Sequence, residues 1–565
     1  MKLSDYVVKY LEGITDSVFL VSGGGCMHTV DSIGRSKLNA ICCHHEQACA
    51  LAAEGYSRIN NDKIGVVSVT SGPGGTNTVT GIGSAWVDGI PIMVIAGQVR
   101  KEIKLTRQDI KNGLRRLGEP QEINLLDVVK PITKYAVCVE NPNEIKYHLE
   151  KAHYLAKSGK PGPVFIEIPL DVQRSEINEK KLKNFKTPKK TKYVIPFKKI
   201  KAALNKAERP LMIVGNGIRL AGAVKELWEF VEKTKINVVS AMSGTDLVND
   251  DYQYYLGEQG MTGVETANYA VDNCDLLLII GTRMQIRNTS FEYKKFAKNA
   301  VKIMVDIDKA ELYKRTLKID IPVVADSKDF LKGLLKENIK LKRWDARGNV
   351  RGNVRGNVST HVSSNVEKNN KYIDVYKFLE SLSGKCDYPV ITTNGMAAET
   401  PHQALKLKKG QRLITNTAFG EMGKGLPMAM GACVASNKKQ VICFEGDGSI
   451  MMNMQELQTV IYNKFPIKIF LFNNGGYYSI RNTHLNYFGK VFASDESSGV
   501  GLPNWNKLAP AWGLKYESIK SEKDLHKIKD ILNFNGPIFC EVFIDPNQKK
   551  LPKWEAGLFE EKNKI

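Results

Sequence analysis

The chain has 565 residues, with 81 lysines and arginines against 60 acidic residues and a formal net charge of +21. This length is too great for one hydrophobic core and predicts about three or four domains. The charge suggests nucleic acid as a partner. However, the lysines are spread through every segment beside acidic residues, and no basic-aromatic stripe occurs. A solvated surface and no nucleic-acid partner are therefore favoured, with a preference for anionic substrates as the alternative.

Three further absences in the sequence favour a cytoplasmic protein. The ten cysteines are scattered without CxxC pairs, which is typical of reduced thiols. The first residues, MKLSDYVVKYLEGITDSVF, carry acids throughout and do not resemble a signal peptide. No apolar run approaches the roughly 18 residues of a membrane span, so we expect no membrane association.

The strand and helix patterns predict an α/β protein with three doubly wound parallel-sheet domains. The first domain spans 1–180 and contains the strand and glycine turn SVFLVSGGG, the helix EQACALAAEGYSRI and the strand and loop IGVVSVTSGPGGTN. Small residues along that helix predict close packing, which we expect to be against another subunit. The second domain spans 190–342 and repeats the pattern.

A low-complexity segment, 343–370, separates the second domain from the third, which spans 371–565. It contains RGNVRGNVRGNV at 347–358. Arg-Gly repeats can bind RNA, but this one is short and lies between two domains, so a linker is favoured. The last twenty residues are charged, with Trp554 and Phe559 as candidate anchors.

The most informative stretch runs from Val441 to Asn474 in the third domain. A buried strand precedes the turn Gly446-Asp447-Gly448-Ser449, a helical pattern follows, and a second strand ends at Asn473-Asn474. This β-α-β unit places Asp447 and Asn474 at the carboxyl edge of the sheet, beside a helix N-terminus. Their hard oxygens suit Mg²⁺ or Ca²⁺ better than zinc. An ordinary strand-to-helix turn is the alternative for either piece alone.

Glu46, in HHEQACALAAEGYSR, is the most prominent single acid in the first domain. The zinc-protease motif HExxH fails here because Cys49 stands where histidine is required. Taken alone, Glu46 fits a helix N-terminal acid that the helix dipole stabilises.

Together these motifs resemble the thiamine-diphosphate enzymes. The resemblance implies that Asp447, Asn474 and the backbone carbonyl of Gly476 hold Mg²⁺, and that Glu46 contacts N1′ of the aminopyrimidine and relays a proton. The resemblance also implies that Gly446, Gly448 and Ser449 form the diphosphate turn and that Pro73 and Asn77 contact the pyrimidine ring. Met422 would be the apolar wedge that holds the cofactor in its bent form, with Gly420 nearby. Gly24 would leave space beside the reacting carbon.

Within that family the chain most resembles the acetolactate synthases, through GQV at 97–99, KPITKY at 130–135 and SGKPGPVFIEIPLDVQ at 158–173. The resemblance implies an active-site glutamine at Gln121 and a structural FAD in the middle domain. Arg283 and Arg287 are expected to contact the FAD, with Asp306 and Asp326 at its adenosine or ribose side. Lys160 replaces the usual arginine in this neighbourhood. The family's active sites lie between chains, which implies a homodimer or homotetramer.

Two departures concern the acceptor. Thr483 stands where acetolactate synthases have tryptophan, and Leu170 where they have lysine, so we expect a roomier and differently charged acceptor site. The expected activity is decarboxylation of pyruvate and transfer of its two-carbon unit to a ketone, such as a nucleotide-linked ketosugar. Acetolactate synthesis from pyruvate alone, a lyase or decarboxylase of the same family, and a non-catalytic nucleotide- or RNA-binding protein are the alternatives.

Overall fold

Three parallel six-stranded sheets follow one another along the chain, which confirms the predicted α/β class with three parallel-sheet domains. The computed structural model describes residues 1–60, 62–118, 120–347, 371–416 and 418–560. The strand orders are β2-β1-β3-β4-β6-β5, β12-β11-β10-β7-β8-β9 and β14-β13-β15-β16-β18-β17. Each sheet lies within one predicted domain; the domain boundaries themselves stay predictions. Most of the repeat segment lies outside the described residues.

The first sheet carries helices on both faces. Its strands are β1 (Ser17–Leu20), β2 (Asn39–Cys42), β3 (Gly65–Val69), β4 (Ile92–Gln98), β5 (Tyr135–Cys138) and β6 (Val164–Pro169). Its helices are α1 (Leu3–Leu11), α2 (Met27–Gly34), α3 (Glu46–Ile59), α4 (Pro73–Thr76), α5 (Val79–Asp88), α6 (Arg107–Lys111), α7 (Leu125–Val129), α8 (Ile145–Lys157) and α9 (Leu170–Gln173).

The second sheet repeats this arrangement. Its strands are β7 (Pro210–Val214), β8 (Asn237–Ser240), β9 (Tyr255–Glu258), β10 (Leu276–Ile280), β11 (Val301–Asp306) and β12 (Ile321–Val324). Its helices are α10 (Phe197–Lys206), α11 (Gly217–Leu220), α12 (Val224–Thr234), α13 (Glu265–Asn273), α14 (Ile286–Thr289), α15 (Lys309–Leu312) and α16 (Ser327–Lys336).

The third sheet contains the β-α-β unit predicted from Val441 to Asn474. Its strands are β13 (Val390–Thr392), β14 (Leu413–Ile414), β15 (Val441–Gly446), β16 (Ile467–Asn473), β17 (Lys515–Ile519) and β18 (Ile538–Phe543). Its helices are α17 (Val375–Leu382), α18 (Met396–Ala404), α19 (Gly425–Ala435), α20 (Asp447–Ile450), α21 (Glu456–Tyr462), α22 (Tyr478–Phe488), α23 (Trp505–Ala511) and α24 (Lys527–Asn533). The crossover is two short helices, α20 and α21, rather than one.

The central strands read as continuous apolar runs because helices cover both faces of a parallel sheet. All of β4, β7 and β10 is buried. This burial leaves the carboxyl ends of the strands as the places where polar residues gather.

The helix of small residues, α3, packs against α19 of the same chain and not, as expected, against another subunit. A Cβ added at Gly55 would lie 2.2 Å from the Met428 carbonyl oxygen, and one at Gly431 would lie 1.8 Å from the Ala52 carbonyl oxygen. The two backbones therefore touch, which only glycine permits here. The sequence showed a face able to pack closely but not its partner.

A buried ion cluster crosses the same junction. Lys424, just before α19, is fully buried, and its Nζ donates to Glu54 Oε1 at 2.9 Å and to Ser84 Oγ at 2.6 Å. Arg58 pairs with Glu54 at 2.7 Å and with Asp88 at 2.6 Å. Because an unpaired buried charge is costly, the pairs tie α3, α5 and α19 together.

Replacing Gly431 with alanine is expected to destabilise the protein by about 1–3 kcal/mol, the usual cost of overpacking a well-packed contact. The physical reason is the clash of the new Cβ with the Ala52 carbonyl. Thermal unfolding should show a lower Tm. Gly34→Ala is the matched control, because a Cβ at this helical glycine meets nothing within 4 Å. An unchanged Tm in Gly431→Ala would contradict the close α3–α19 contact.

Candidate functional site

Asp447 lies where β15 ends and α20 begins, and its carboxylate is almost fully buried. Its Oδ1 accepts from the backbone N–H of Gly448 at 2.7 Å, and its Oδ2 accepts from those of Asn474 and Gly476, both at 3.0 Å. Burial raises the pKa of Asp447 to about 6, although these N–H donors favour the ionised form. No lysine or arginine among the described residues forms an ion pair with it. A bound cation would supply the missing positive charge.

Asn474 follows β16, which pairs with β15, so the two predicted metal ligands lie at adjacent strand ends. The side-chain Oδ1 of Asn474 is buried and has no hydrogen-bond partner in the described part of the chain. Its backbone carbonyl, by contrast, accepts from Arg481 Nη2 at 2.9 Å. An orphaned buried oxygen beside a carboxylate fits a hard divalent cation such as Mg²⁺.

The backbone around these ligands has little room for side chains. A Cβ at Gly448 would lie 2.3 Å from the Tyr477 ring, and one at Gly476 would lie 2.3 Å from the Ser494 carbonyl oxygen. The φ angle of Gly476 is +129°, a conformation that favours glycine. Ser449 Oγ accepts from the Gly423 N–H at 2.9 Å, which fixes the loop bearing Met422 to the diphosphate turn.

One cavity of about 1310 Å³ contains these groups. It is lined by the following residues of the expected site: Arg287, Gly420, Met422, Gly446, Asp447, Gly448, Ser449, Asn474, Gly476 and Thr483. The cavity therefore gathers the expected metal, diphosphate and wedge residues at the carboxyl edge of the third sheet, where α/β sheets bind ligands.

Glu46 is the first residue of α3 and is largely buried. Asn77 Nδ2 donates to Glu46 Oε2 at 2.9 Å, which leaves Oε1 free of that bond. His45 caps the helix, because its Nδ1 accepts from the Gln47 N–H at 3.1 Å. The carboxylate is thus held at a defined place at a helix N-terminus.

The other first-domain candidates lie on turns and loops of the first domain, and two of them follow strands of its sheet. Gly24 starts a 3₁₀ turn after β1, and Pro73 starts α4 after β3. Gln121 has a φ of +66°, and its Oε1 accepts from Ser71 Oγ at 3.3 Å. Gly24, Pro73, Asn77 and Gln121 are exposed in the single chain. Neither they nor Glu46 line the third-domain cavity.

A second cavity of about 210 Å³ lies between the first and middle domains, and Arg283, Asp306 and Asp326 line it. Asn216 and Gly281 line it too, at the ends of β7 and β10, where the strand order of the middle sheet reverses. Such a switch point with tight glycine turns fits a nucleotide. Burial raises the pKa of Asp306 to about 6.

Two basic residues that the sequence places near the expected FAD site have partners that it did not indicate. Arg287 faces the larger cavity instead, where its Nη2 lies 3.7 Å from Glu399 Oε1. Lys160 bridges the first and middle domains through Glu311 at 2.9 Å and Asp308 at 3.2 Å.

The C-terminal tail adds residues that sequence reasoning missed. Lys549, Lys550 and Lys553 line the larger cavity, and Lys550 pairs with Glu399. Beyond them, Trp554 Nε1 donates to Asp272 Oδ2 at 3.1 Å, and the Phe559 N–H donates to the same oxygen at 3.0 Å. The two aromatic residues therefore anchor the tail to the middle domain, as predicted. No sequence pattern marks the lysines, because only the tail's path brings them to the cavity.

Comparisons with known proteins agree with this arrangement. Three family models match, described as the N-terminal TPP binding domain, the central domain and the C-terminal TPP binding domain of thiamine pyrophosphate enzymes, over residues 1–122, 197–334 and 393–542. The structure contains no helix, among the residues it describes, that is long and apolar enough to cross a membrane.

Relatives that match nearly the whole chain are named as acetolactate synthase large subunits. The chain is 33% identical to a probable acetolactate synthase large subunit of Methanocaldococcus jannaschii, over 97% of this chain and 92% of the relative. It is 32% identical to the acetolactate synthase isozyme 2 large subunit of Escherichia coli K12, over 96% and 95%. It is also 32% identical to the acetolactate synthase large subunit of Lactococcus lactis, over 96% and 92%. The chain therefore belongs to the thiamine pyrophosphate enzymes, as a carboligase of the acetolactate synthase-like family.

Proposed function

We propose that the protein decarboxylates pyruvate and joins the remaining two-carbon unit to the ketone carbon of a second 2-oxo acid, which is acetolactate synthesis when that acid is also pyruvate. One pyruvate loses its carboxyl carbon as carbon dioxide, and one carbon-carbon bond forms, without net oxidation. The relatives' names support this acceptor more directly than they support a nucleotide-linked ketosugar.

The observation that carries the proposal is that Arg287 shares one cavity with Asp447 and Asn474. A guanidinium offers a planar pair of donors that matches a carboxylate. Glu399 Oε1 lies 3.7 Å from Arg287, but Glu399 also pairs with Lys550. Its negative charge is therefore shared between two cations, which leaves Arg287 able to bind a second carboxylate. We assign Arg287 to the acceptor's carboxylate rather than to FAD.

Bound thiamine diphosphate supplies the nucleophilic carbon and the electron sink that decarboxylation of a 2-oxo acid requires. Asp447, Asn474 Oδ1 and the Gly476 carbonyl would hold Mg²⁺, and Gly446, Gly448 and Ser449 would receive the diphosphate at the start of α20. Met422 and Gly420 line the same cavity and shape its wall. FAD, with Arg283 at its phosphates and Asp306 and Asp326 nearby, would have a structural role in the second cavity.

Glu46 holds and passes a proton through Oε1, since Asn77 already occupies Oε2. A carboxylate fixed by such a bond stays aligned without the entropy cost of a free side chain. Because Glu46 and the Asp447 cavity lie apart in one chain, a second copy brings Glu46, Gly24, Pro73, Asn77 and Gln121 to that cavity. The working unit is then a homodimer or a dimer of dimers.

A second candidate acceptor is a larger ketone, including a nucleotide-linked ketosugar. Thr483 favours it, because this short, exposed side chain on α22 lines the cavity. Replacing an aromatic side chain by threonine enlarges an acceptor pocket. The two candidates share every step except the identity of the acceptor.

Mass spectrometry of products tests the proposed acceptor. Protein supplied with thiamine diphosphate, Mg²⁺, FAD and pyruvate should form acetolactate as its main product. Arg287→Gln should raise the KM for the acceptor by about 10–100-fold, the worth of one charge-assisted carboxylate contact. Arg315→Gln serves as the control, since Arg315 lines none of the described cavities at the site. Slow turnover of pyruvate alone, with fast transfer to an added ketosugar, would overturn acetolactate synthesis in favour of the second candidate.

Glu46→Gln is expected to lower turnover of pyruvate by about 10²–10⁴-fold, the usual worth of a positioned acid-base group. The amide retains the shape of the side chain and can still accept from Asn77, so cofactor affinity should change little. Stopped-flow turnover and calorimetric binding of thiamine diphosphate check the two halves of this prediction. Glu229→Gln, on the exposed face of α12, should leave both unchanged. Normal turnover in Glu46→Gln would refute the proton-relay role.

A further inference from the structure

We propose that Glu456 is a positioning residue for Glu46. Glu456 is the fully buried first residue of α21 in the third domain. Its Oε1 accepts from the backbone N–H of His44 at 2.9 Å. His44 lies only two residues before Glu46. The third domain therefore forms a hydrogen bond to the backbone of the turn that carries Glu46. The proposal rests on the acid-base role given to Glu46 above.

The second oxygen of Glu456 is also committed. Thr459 Oγ1 donates to Oε2 at 2.7 Å, which fixes the rotamer of the glutamate from its own helix. No lysine or arginine in the described ranges forms an ion pair with this carboxylate, and burial raises its pKa. Burying a carboxyl group without a cation costs free energy that an apolar side chain would avoid. A carboxyl or amide side chain at this position can accept a hydrogen bond from the His44 N–H, whereas an apolar side chain cannot.

Glu46 is thereby fixed at two points from two domains. Its carboxylate tip is held by Asn77, and the backbone of its turn is held by Glu456. His45, between the two, is extended (φ −151°, ψ 140°) and caps α3. The turn has no other third-domain side chain bonded to its backbone among the described hydrogen bonds. Loss of the Glu456 contact would free the His44 N–H and allow the start of α3 to shift.

A shift of this kind affects rate more than binding. Misplacing a reacting group by about 1 Å can cost about 10²-fold in rate. The function proposed above gives pyruvate and the diphosphate contacts with other residues, so their affinities should be nearly preserved. The proposal therefore predicts a fall in kcat with little change in KM, together with a local loosening that does not depend on any substrate.

Two variants separate the acceptor function from bulk and charge. Glu456→Met keeps the length of the side chain but removes both acceptors, whereas Glu456→Gln keeps a carbonyl oxygen for the His44 N–H. Glu226→Met is the matched control, because Glu226 is a buried glutamate on α12, far along the chain and outside the described cavities. Tm values of all three show the cost of removing a buried glutamate in general.

Hydrogen exchange of peptides covering residues 43–48, measured on cofactor-free protein, is the direct readout. Glu456→Met should speed exchange at His44 by about 10-fold or more, as expected for loss of one hydrogen bond. It should also lower kcat by about 10–100-fold with the KM for pyruvate within about threefold. Glu456→Gln and Glu226→Met should behave like the unmodified protein in both measurements.

The inference is overturned if Glu456→Met folds and keeps both normal exchange at His44 and normal kcat. It is also overturned if Glu456→Gln loses as much kcat as Glu456→Met, because the charge and not the acceptor would then matter. Faster exchange with normal kcat would contradict the link to Glu46. Because exchange is measured without cofactor or substrate, a failure of the Glu456–His44 contact to hold the turn is distinguishable from a failure of the proposed acetolactate synthesis.

Discussion

The contact between α3 and α19 is the constraint on which the rest of the structure depends. Two glycines let the backbones of these helices touch, and the Lys424–Glu54 pair buries a charge of each sign at the same junction. Removing either ion would leave the other uncompensated in the interior. The first and third domains are therefore fixed to each other within one chain. Both candidate halves of the active site begin at the ends of this junction, Glu46 at the start of α3 and Met422 just before α19.

Within one chain this arrangement keeps the two candidate halves of the site apart. Glu46 and the exposed first-domain candidates lie at the carboxyl edge of the first sheet, whereas Asp447 and Asn474 lie in the cavity of the third. If the internal junction cannot open, only another copy of the chain can complete the cavity. The Glu456–His44 bond links the same two domains within one chain. A C₂ dimer would generate two equivalent composite sites.

Local pattern was enough to predict that Asp447 and Asn474 lie together at one edge of the third sheet. Asp447 and Asn474 follow two strands of one β-α-β unit, and neighbouring parallel strands end at the same edge, so spacing along the chain implied proximity. The partner of α3, the cavity that Arg287 faces and the Glu456–His44 contact could not be predicted in this way. Each depends on contacts between residues more than 100 positions apart, for example His44 with Glu456. The expected packing of α3 on another subunit was wrong for this reason: a small-residue face does not identify its partner.

The central claim, that each active site is shared by two chains, is tested most directly by mixing two inactive variants. Glu46→Gln lacks the proton relay, and Asp447→Asn lacks the charged metal ligand, so each alone should be inactive. After co-expression, or after subunit exchange, a mixed dimer carries both changes in one site and neither in the other. Random mixing should therefore restore about a quarter of the activity of the unmodified protein, because half of the dimers are mixed and half of their sites are intact. No recovery, with mixed dimers shown to form, would contradict a site divided between chains.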